Sequence, residues 1–389
     1  MRLLHTADWH LGRTLEGRDR LAEQQQFLDE LVEIADTEQA DAILMAGDVF
    51  DTVNPPAAAE EMFYDAMARL SKGGTRPVIA IAGNHDHPDR LMASSPLAST
   101  HGVTLIGLPK MELFRYGIER TNEQLSVCAL PYPSESRLKE MLSQSGEEID
   151  LRNQYDEWVG RYFQQMAAQF SSSDVNVAMS HLYVAGSKES DSERPVHIGG
   201  AYTVAAETLP LEAQYVALGH LHRPQRVKRA KTEARYAGSP LAYSFSEAGY
   251  TKSVVMVDLH PKKEAIVTEI PLSCGRPLLT YGARSVSDVF RYLENECPVN
   301  AWVDLSVHVS DRLTMEEIQQ IRKAHKGIIH IKPVFTELTE DVLTHGKKLS
   351  ITELFHSFYE TQTGGAKPDE HVMNLFLELI GEEEGSDAS

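Results

Sequence analysis

At 389 residues the chain exceeds one average domain, so two or three domains with a sizeable core are expected. Its 42% hydrophobic and 24% charged residues fit a globular protein, and no apolar run approaches the roughly 18 residues a membrane helix needs. The formal net charge of −20 opposes nucleic-acid binding by the whole surface, so any such contact needs a local basic patch, bound cations or a partner.

The first residues turn polar too early for a secretory signal, which predicts a cytoplasmic protein with no membrane association. Cys128, Cys274 and Cys297 are too few and too scattered for a disulfide framework or a cysteine zinc site.

Short apolar runs at 2–7, 42–46, 78–82 and 103–106 read as strands, and residues 21–35 and 57–70 carry apolar side chains at helical spacing. This βαβ alternation implies a buried, largely parallel sheet. A helix is expected over 150–170 and a strand over 175–179. Strands then follow without helices at 215–218, 225–228, 235–237, 253–258 and 265–270, which suggests an antiparallel second sheet. From residue 278 the pattern becomes strand, helix, strand, helix, strand up to 334, a small α+β module. Two short apolar helices between 349 and 380 and an acidic tail close the chain.

Five short motifs fall where strands end: Asp8-Trp9-His10, Gly47-Asp48, Gly83-Asn84-His85-Asp86, Ser180-His181 and Gly219-His220-Leu221-His222. Loops beyond the carboxyl ends of parallel strands converge on one crevice, so residues distant in sequence can meet there. Each motif alone reads as readily as a turn or a hydrogen-bonded loop; the ordered set of five does not. The set offers two carboxylates, one amide oxygen and four imidazoles, a mixture suited to Mn, Fe or Zn and unlike the all-oxygen shell of Ca or Mg. Seven donors exceed the needs of one ion and fit two ions sharing a carboxylate, about 3.5–4 Å apart in enzymes of this kind. Asp48 is the expected bridge, and Gly47 lets the backbone approach the ions. The pairs Asp8/His10 and His220/His222 are expected on one side of extended segments, where i and i+2 are neighbours. His5, inside the first strand, is expected to be a core histidine, and the remaining histidines to be surface residues.

The order Asp-x-His, Gly-Asp, Gly-Asn-His-Asp, His, Gly-His-x-His resembles the calcineurin-like metallophosphoesterase superfamily over roughly residues 1–270. His-Thr-Ala-Asp-Trp-His-Leu-Gly at 5–12, Gly-Asp-Val-Phe-Asp-Thr at 47–52 and Gly-Asn-His-Asp-x-Pro-x-Arg-Leu at 83–91 are similar to its bacterial DNA-nuclease branch. The α+β module and terminal helices extend that likeness over nearly the whole chain.

The resemblance implies an α/β fold of the four-layer α+β sandwich type, with two central mixed sheets flanked by helices. A metallophosphoesterase domain at 1–272 would be followed by an α+β capping domain at 273–340 and a C-terminal helix pair with acidic tail at 341–389. It also implies two divalent ions, Mn2+, one held by Asp8, His10, Asp48 and His222 and the other by Asp48, Asn84, His181 and His220, with His85 as the catalytic histidine. The implied activity is 3′→5′ double-strand exonuclease and hairpin-selective endonuclease cleavage in DNA repair and recombination. The implied partners are DNA and a coiled-coil ATPase, with a homodimer of this chain inside a heterotetramer.

Asp51 stands where some archaeal and eukaryotic relatives carry a second active-site histidine. A carboxylate cannot donate a proton to an anionic phosphate unless its pKa is raised, so the acid role is placed on His85. A stand-alone phosphatase or cyclic-nucleotide phosphodiesterase with the same centre is the alternative function, although it would not need the C-terminal extension.

Arg13 and Arg90 lie near the metal motifs, and Arg223, Arg226 and Lys228 sit on an expected hairpin with Arg229, Lys231 and Arg235. They are candidates for holding DNA phosphates and equally fit a solvated face. In the terminal helices Leu354, Phe355 and Phe358, then Leu375 and Phe376, form apolar stripes, after a capping-box spacing at Ser350 and Glu353. The resemblance implies that these stripes dock on the ATPase.

Overall fold

A strand covered on both faces reads as an unbroken apolar run. β2 (Ala42–Met45) and β3 (Val78–Ile81) are such runs, and with β1 (Arg2–Thr6) and β4 (Val103–Ile106), which also carry polar residues, they build the parallel part of the first sheet. The computed structural model describes residues 1–134, 151–193 and 202–335, with single positions between 352 and 377. Alternation turns Leu4, Ile43, Met45 and Val78 towards α1 (Leu21–Thr37) and α2 (Ala57–Leu70), where Phe27, Leu31, Phe63 and Leu70 meet them. Leu3, Leu44, Ile79 and Ile81 point the other way, into a layer shared with the second sheet.

That second sheet has the order β11 (Gln225–Arg226), β12 (Ala234–Tyr236), β10 (Tyr215–Gly219), β7 (Val175–His181), β6 (Glu123–Leu130), β5 (Leu113–Ile118). The expectation of an antiparallel sheet is thereby corrected. β12, β10, β7 and β6 run parallel, and only the edge pairs β5 with β6 and β11 with β12 are antiparallel. A parallel step needs a long crossover, and α5 (Leu151–Ala167) lies within the one from β6 to β7. Its Tyr155, Val159 and Phe163 cover the outer face against Leu130, Ala178 and Val216, so the layers run helix, sheet, sheet, helix. Between β3 and β4 lie the short helices α3 (Pro88–Met92) and α4 (Ser95–Ala98), and a small parallel pair joins β8 (Tyr183–Val184) to β9 (Thr203–Val204).

The strands at 253–258 and 265–270 are the second correction. β13 (Ser253–Asp258) and β14 (Ile266–Pro271) return to the first sheet, β13 antiparallel to β1. The reason lies in β13 itself. Val254 and Met256 pack on the helix side while Val255 and Val257 pack between the sheets, so this run needs cover on both faces and takes an interior place.

The module is β15 (Leu278–Ala283), α6 (Val286–Asn295), β16 (Trp302–Val309), α7 (Met315–Ala324) and β17 (Ile328–Phe335), with sheet order β15-β16-β17. Thr314 and Glu317 form a reciprocal capping box at the start of α7. One buried ion pair fastens this module to α1. Glu23 accepts from Arg20 Nη2 at 2.6 Å, from the Arg276 backbone N–H at 2.7 Å and from Trp302 Nε1 at 3.0 Å. Arg20 and Glu23 side chains are only 1% and 6% exposed. Glu23→Gln, which strands the Arg20 charge, is expected to lower stability by about 3–5 kcal/mol, read as a shift in urea midpoint. A change below about 1 kcal/mol would mean that the pair is not the fastening.

Contacts divide the chain into two compact units, residues 1–307 with 313–333, and residues 308–312 with 334–389. In the second unit Phe355 and Phe376 stack with ring centroids 3.8 Å apart and planes 12° from parallel. The Asp369 carboxylate accepts from the Val372 N–H at 2.8 Å, a cap for the second helix. Leu354, Phe358, Leu375, Ser350 and Glu353 lie outside the described residues.

Candidate metal centre

β1, β2 and β3 of the first sheet and β7 and β10 of the second end around one point. Their carboxyl ends deliver Asp8 and His10, Asp48, Asn84 and His85, His181, and His220 and His222, so all five sequence motifs meet. Asp8, His10, Asp48, His181, His220 and His222 are buried.

The donor atoms sort into two halves with Asp48 between them. Its Oδ2 lies 3.6 Å from His10 Nε2 and 3.4 Å from His181 Nε2. On one side Asp8, His10 and His222 hold their donor atoms within 4.8 Å of one another. On the other, Asn84 Oδ1 lies 2.9 Å from His181 Nε2 and 3.0 Å from His220 Nδ1.

The donor set fits a pair of cations. His10 Nε2 and His222 Nε2 face each other at 2.9 Å, and two imidazole lone pairs repel unless a proton or a metal ion lies between them. His222 uses its other nitrogen on Ser192 Oγ, at 2.5 Å. Asp8 Oδ2 is buried without a hydrogen-bond partner, a cost that a cation would relieve.

The titratable groups of the centre shift in opposite directions. Burial works against the charge on His181, yet Asp48 and Asp8 outweigh it and hold its pKa up at about 9. Burial pushes His10 down to about 3 and also lowers His220, leaving both as neutral donors. Burial would raise Asp48, but His181, His85 and His10 overcome it and keep this carboxylate well below its usual range. Asp8 is pushed up by burial.

The two i, i+2 pairs do not sit on extended chain, which corrects the expectation from spacing. Asp8, His10, Asp48 and His220 have φ of 54°, 45°, 52° and 101°, the left-handed region, at about 1–3 kcal/mol each. Short bonds hold these turns: Asp8 N–H to Gly47 O at 2.9 Å, His10 N–H to Asp48 O at 3.0 Å, and His220 N–H to Asp8 Oδ1 at 2.9 Å. Gly47 has φ +93° and leaves room for the His181 ring, whose Nδ1 would be 2.3 Å from an added Cβ. At Gly83 a Cβ would lie 2.0 Å from Asp48 Oδ1.

His85 Nδ1 donates to the Asp51 carbonyl at 2.7 Å, which turns Nε2 inward to 4.0 Å from Asp48 Oδ2. Asp51 has its carboxylate near His10 Nδ1 at 3.5 Å and Arg13 Nε at 3.7 Å. Burial would raise its pKa, but His10 and Arg13 outweigh that and lower it, so Asp51 stays anionic and is a poor proton donor.

Several supporting residues carried no assignment from sequence. Asp86 accepts from the N–H groups of Val49, Phe50 and Gly83 at 3.1, 2.9 and 2.8 Å, tying the Asp48 loop to the Asn84 loop. Burial and the nearby charge of Asp48 raise its pKa to about 6. Its place in the third motif was the available signal. Glu193 accepts the His222 N–H at 2.7 Å, Gln24 Nε2 donates to His10 O at 3.0 Å, and Lys252 donates to His222 O at 2.9 Å while pairing with buried Glu247. Nothing local in sequence marks these four. His5 is the expected core histidine, bonded to the Tyr215 hydroxyl at 2.9 Å, whereas His325, expected at the surface, is buried.

Of the basic candidates, Arg90 is exposed but pairs with Glu60 at 2.9 Å, and Arg226 with Glu233 at 2.8 Å. Arg223 lies over the Tyr250 ring at 4.7 Å, and Lys228 is exposed. Arg13 faces inward, as its bonds to Asp51 and Ser192 O show.

The chain matches the family model for calcineurin-like phosphoesterases over residues 1–224. It is 55% identical over 390 aligned positions, covering 100% of both chains, to a Bacillus subtilis (strain 168) protein named as the SbcD component of the nuclease SbcCD. A Rhodobacter capsulatus protein of the same name is 36% identical over 304 positions, covering 74% of this chain and 73% of its own. A full-length match at that identity, over a chain whose five motifs converge on one buried centre, leaves a single conclusion: the protein belongs to the calcineurin-like phosphoesterases and, among them, to the SbcD components of SbcCD nucleases.

Proposed function

We propose that this chain is a two-metal DNA phosphodiesterase, the nuclease half of an SbcCD-type complex, cutting double-strand ends 3′→5′ and hairpins endonucleolytically in repair and recombination. The observation that carries the chemistry is Asp48 Oδ2 standing between His10 and His181, with one half of the donor set on each side. Asp8, His10, Asp48 and His222 would hold one ion, and Asp48, Asn84, His181 and His220 the other. A mixed nitrogen and oxygen set accommodates Mn2+ as it does Fe or Zn, and the resemblance to the nuclease branch favours Mn2+. When bound, such ions supply Lewis-acid neutralisation of the phosphodiester and an activated water.

The protein's own groups do the rest. Its buried carboxylates and imidazoles fix the donor positions before substrate arrives, so little reorganisation is needed. With its Nδ1 proton held on the Asp51 carbonyl, His85 presents Nε2 to the reacting phosphate and donates a proton there to the leaving oxygen. Arg223 and Lys228 are the basic candidates best placed to meet a DNA backbone. Arg90 and Arg226 would first have to exchange their carboxylate partners. We place the protein in the cytoplasm; among the described residues no helix is long and apolar enough to cross a membrane.

The test is a digest of end-labelled linear duplex and hairpin DNA with Mn2+, run beside a nucleotide monoester and a small aryl phosphodiester. Cleavage of both DNAs is the expected result; turnover of the monoester alone would move the chain to the phosphatases.

For the partner, the proposal is an SbcC-type coiled-coil ATPase gripped by the C-terminal helix pair, two copies of each chain forming a heterotetramer. Support comes from the apolar stripes at 354–358 and 375–376 and from the SbcCD name of the relatives. Truncation after Leu343 is expected to leave a folded, Mn2+-dependent nuclease that no longer co-purifies with the ATPase. Undiminished co-purification would place the grip elsewhere.

A further inference from the structure

Two imidazoles of one half of the centre are held from outside by a single brace. His222 Nδ1 meets Ser192 Oγ at 2.5 Å, and the His222 backbone N–H donates to Glu193 at 2.7 Å. The segment carrying Ser192 is itself pinned. Glu193 folds back on the Ser190 N–H at 2.6 Å, the Asp191 N–H donates to Ser246 Oγ at 3.2 Å, and Arg13 Nη2 donates to the Ser192 carbonyl at 2.8 Å. Arg13 also reaches the second imidazole. Its Nε lies 3.7 Å from Asp51 Oδ1, and that oxygen lies 3.5 Å from His10 Nδ1. The guanidinium sits 5.0 Å over the Tyr243 ring, which packs edge-on against both His10 and His222 at 5.5 and 6.1 Å. On the other half, the outer nitrogen of His181 rests on the Ala46 carbonyl at 2.9 Å, inside the sandwich core.

We propose that Arg13 and Ser192 are positioning residues that clamp His10 and His222 as one ligand pair, so that one of the two ions depends on the 190–193 segment and the other does not. An imidazole keeps its tautomer and ring angle at a metal only while a fixed partner holds its outer nitrogen. Ser192 supplies that partner for His222, whereas His10 Nδ1 makes no hydrogen bond and is faced at 3.5 Å by the Asp51 carboxylate, which Arg13 steadies. The halves therefore differ in what supports them. The His181 side leans on main chain buried between two sheets, whereas the His10 and His222 side leans on a loop held by a few polar bonds. The proposal rests on the two-ion reading above and adds an asymmetry to it.

The test titrates the metal-free, full-length chain with Mn2+ by calorimetry, using the parent, Ser192→Ala, Ser192→Thr and Arg13→Gln. The parent is expected to take up two ions. Ser192→Ala and Arg13→Gln should each weaken one ion by about 10–100-fold, the usual scale for losing an orienting partner of a metal ligand, and leave the other unchanged. Ser192→Thr, which keeps the hydroxyl, should restore the parent isotherm. The unchanged ion shows that each variant is folded. Two unaltered affinities, or equal weakening of both ions, would overturn the clamp. Failure of the parent to bind a second ion would instead overturn the two-ion reading itself, and these outcomes are distinct in the parent trace.

Discussion

Asp48→Asn is expected to abolish DNA cleavage, with a loss of about 10³-fold or more, the scale for removing a group on which a whole constellation depends. The side chain keeps its shape but loses the charge that His10 and His181 face at 3.6 and 3.4 Å. Two consequences follow from that one change. A neutral amide no longer offsets the repulsion of two adjacent dications, so at least one ion should be lost. The raised pKa of His181, which owes most of its support to Asp48, should also fall towards its ordinary value. Both are measurable, by counting Mn2+ per chain and by following the His181 ring resonances against pH in metal-free protein. Retention of two ions with normal turnover on duplex DNA would remove Asp48 from the bridging position.

His85→Gln should separate chemistry from binding. The ring is buried, with one nitrogen committed to the Asp51 carbonyl and the other turned towards the centre. Glutamine can keep a donor on that carbonyl but has no group that gives up a proton near neutral pH. A rate lower by about 10²–10⁴, the range for general acid catalysis, is expected with both ions still bound at parental affinity. The deficit should shrink on a substrate whose leaving group is already a good one, because such a leaving oxygen needs no proton. Metal loss in step with rate would make His85 a ligand, and an equal deficit on both substrate types would count against proton donation.

The candidate site was legible in outline because its chemistry is local. A candidate ligand such as Asp48 or His181 lies at or just past a strand's carboxyl end, and a strand buried on both faces announces itself through apolar residues; 42–45 is wholly apolar and 177–179 forms the apolar stretch before His181. The backbone at those ends was not legible. Spacing placed Asp8 with His10 and His220 with His222 on extended chain, whereas Asp8, His10 and His220 adopt left-handed φ. Hydrogen bonds to Gly47 O, Asp48 O and Asp8 Oδ1, all distant in sequence, hold them there. Ser192 and Glu193 went unread for the same reason, since a serine and a glutamate in a polar stretch gain a role only when His222 arrives from another strand.

The sequence by itself determined the existence of most strands and helices, the two-sided burial of β2 and β3, and which motifs supply the candidate donors. Each of these follows from side-chain period and type along a short window. The tertiary structure alone decided which sheet each strand joined and in which direction. An apolar run such as β13 fits the interior of either sheet, and its place beside β1 was settled by helix cover on one face and the opposing sheet on the other. It also decided the fate of the basic residues. Charge on Arg13, Arg90 and Arg226 is visible in the chain, but Asp51, Glu60 and Glu233, 38, 30 and 7 positions away, neutralise it only once folding brings them within 4 Å. Pairing of charges is a property of distance in space, which a linear sequence does not contain.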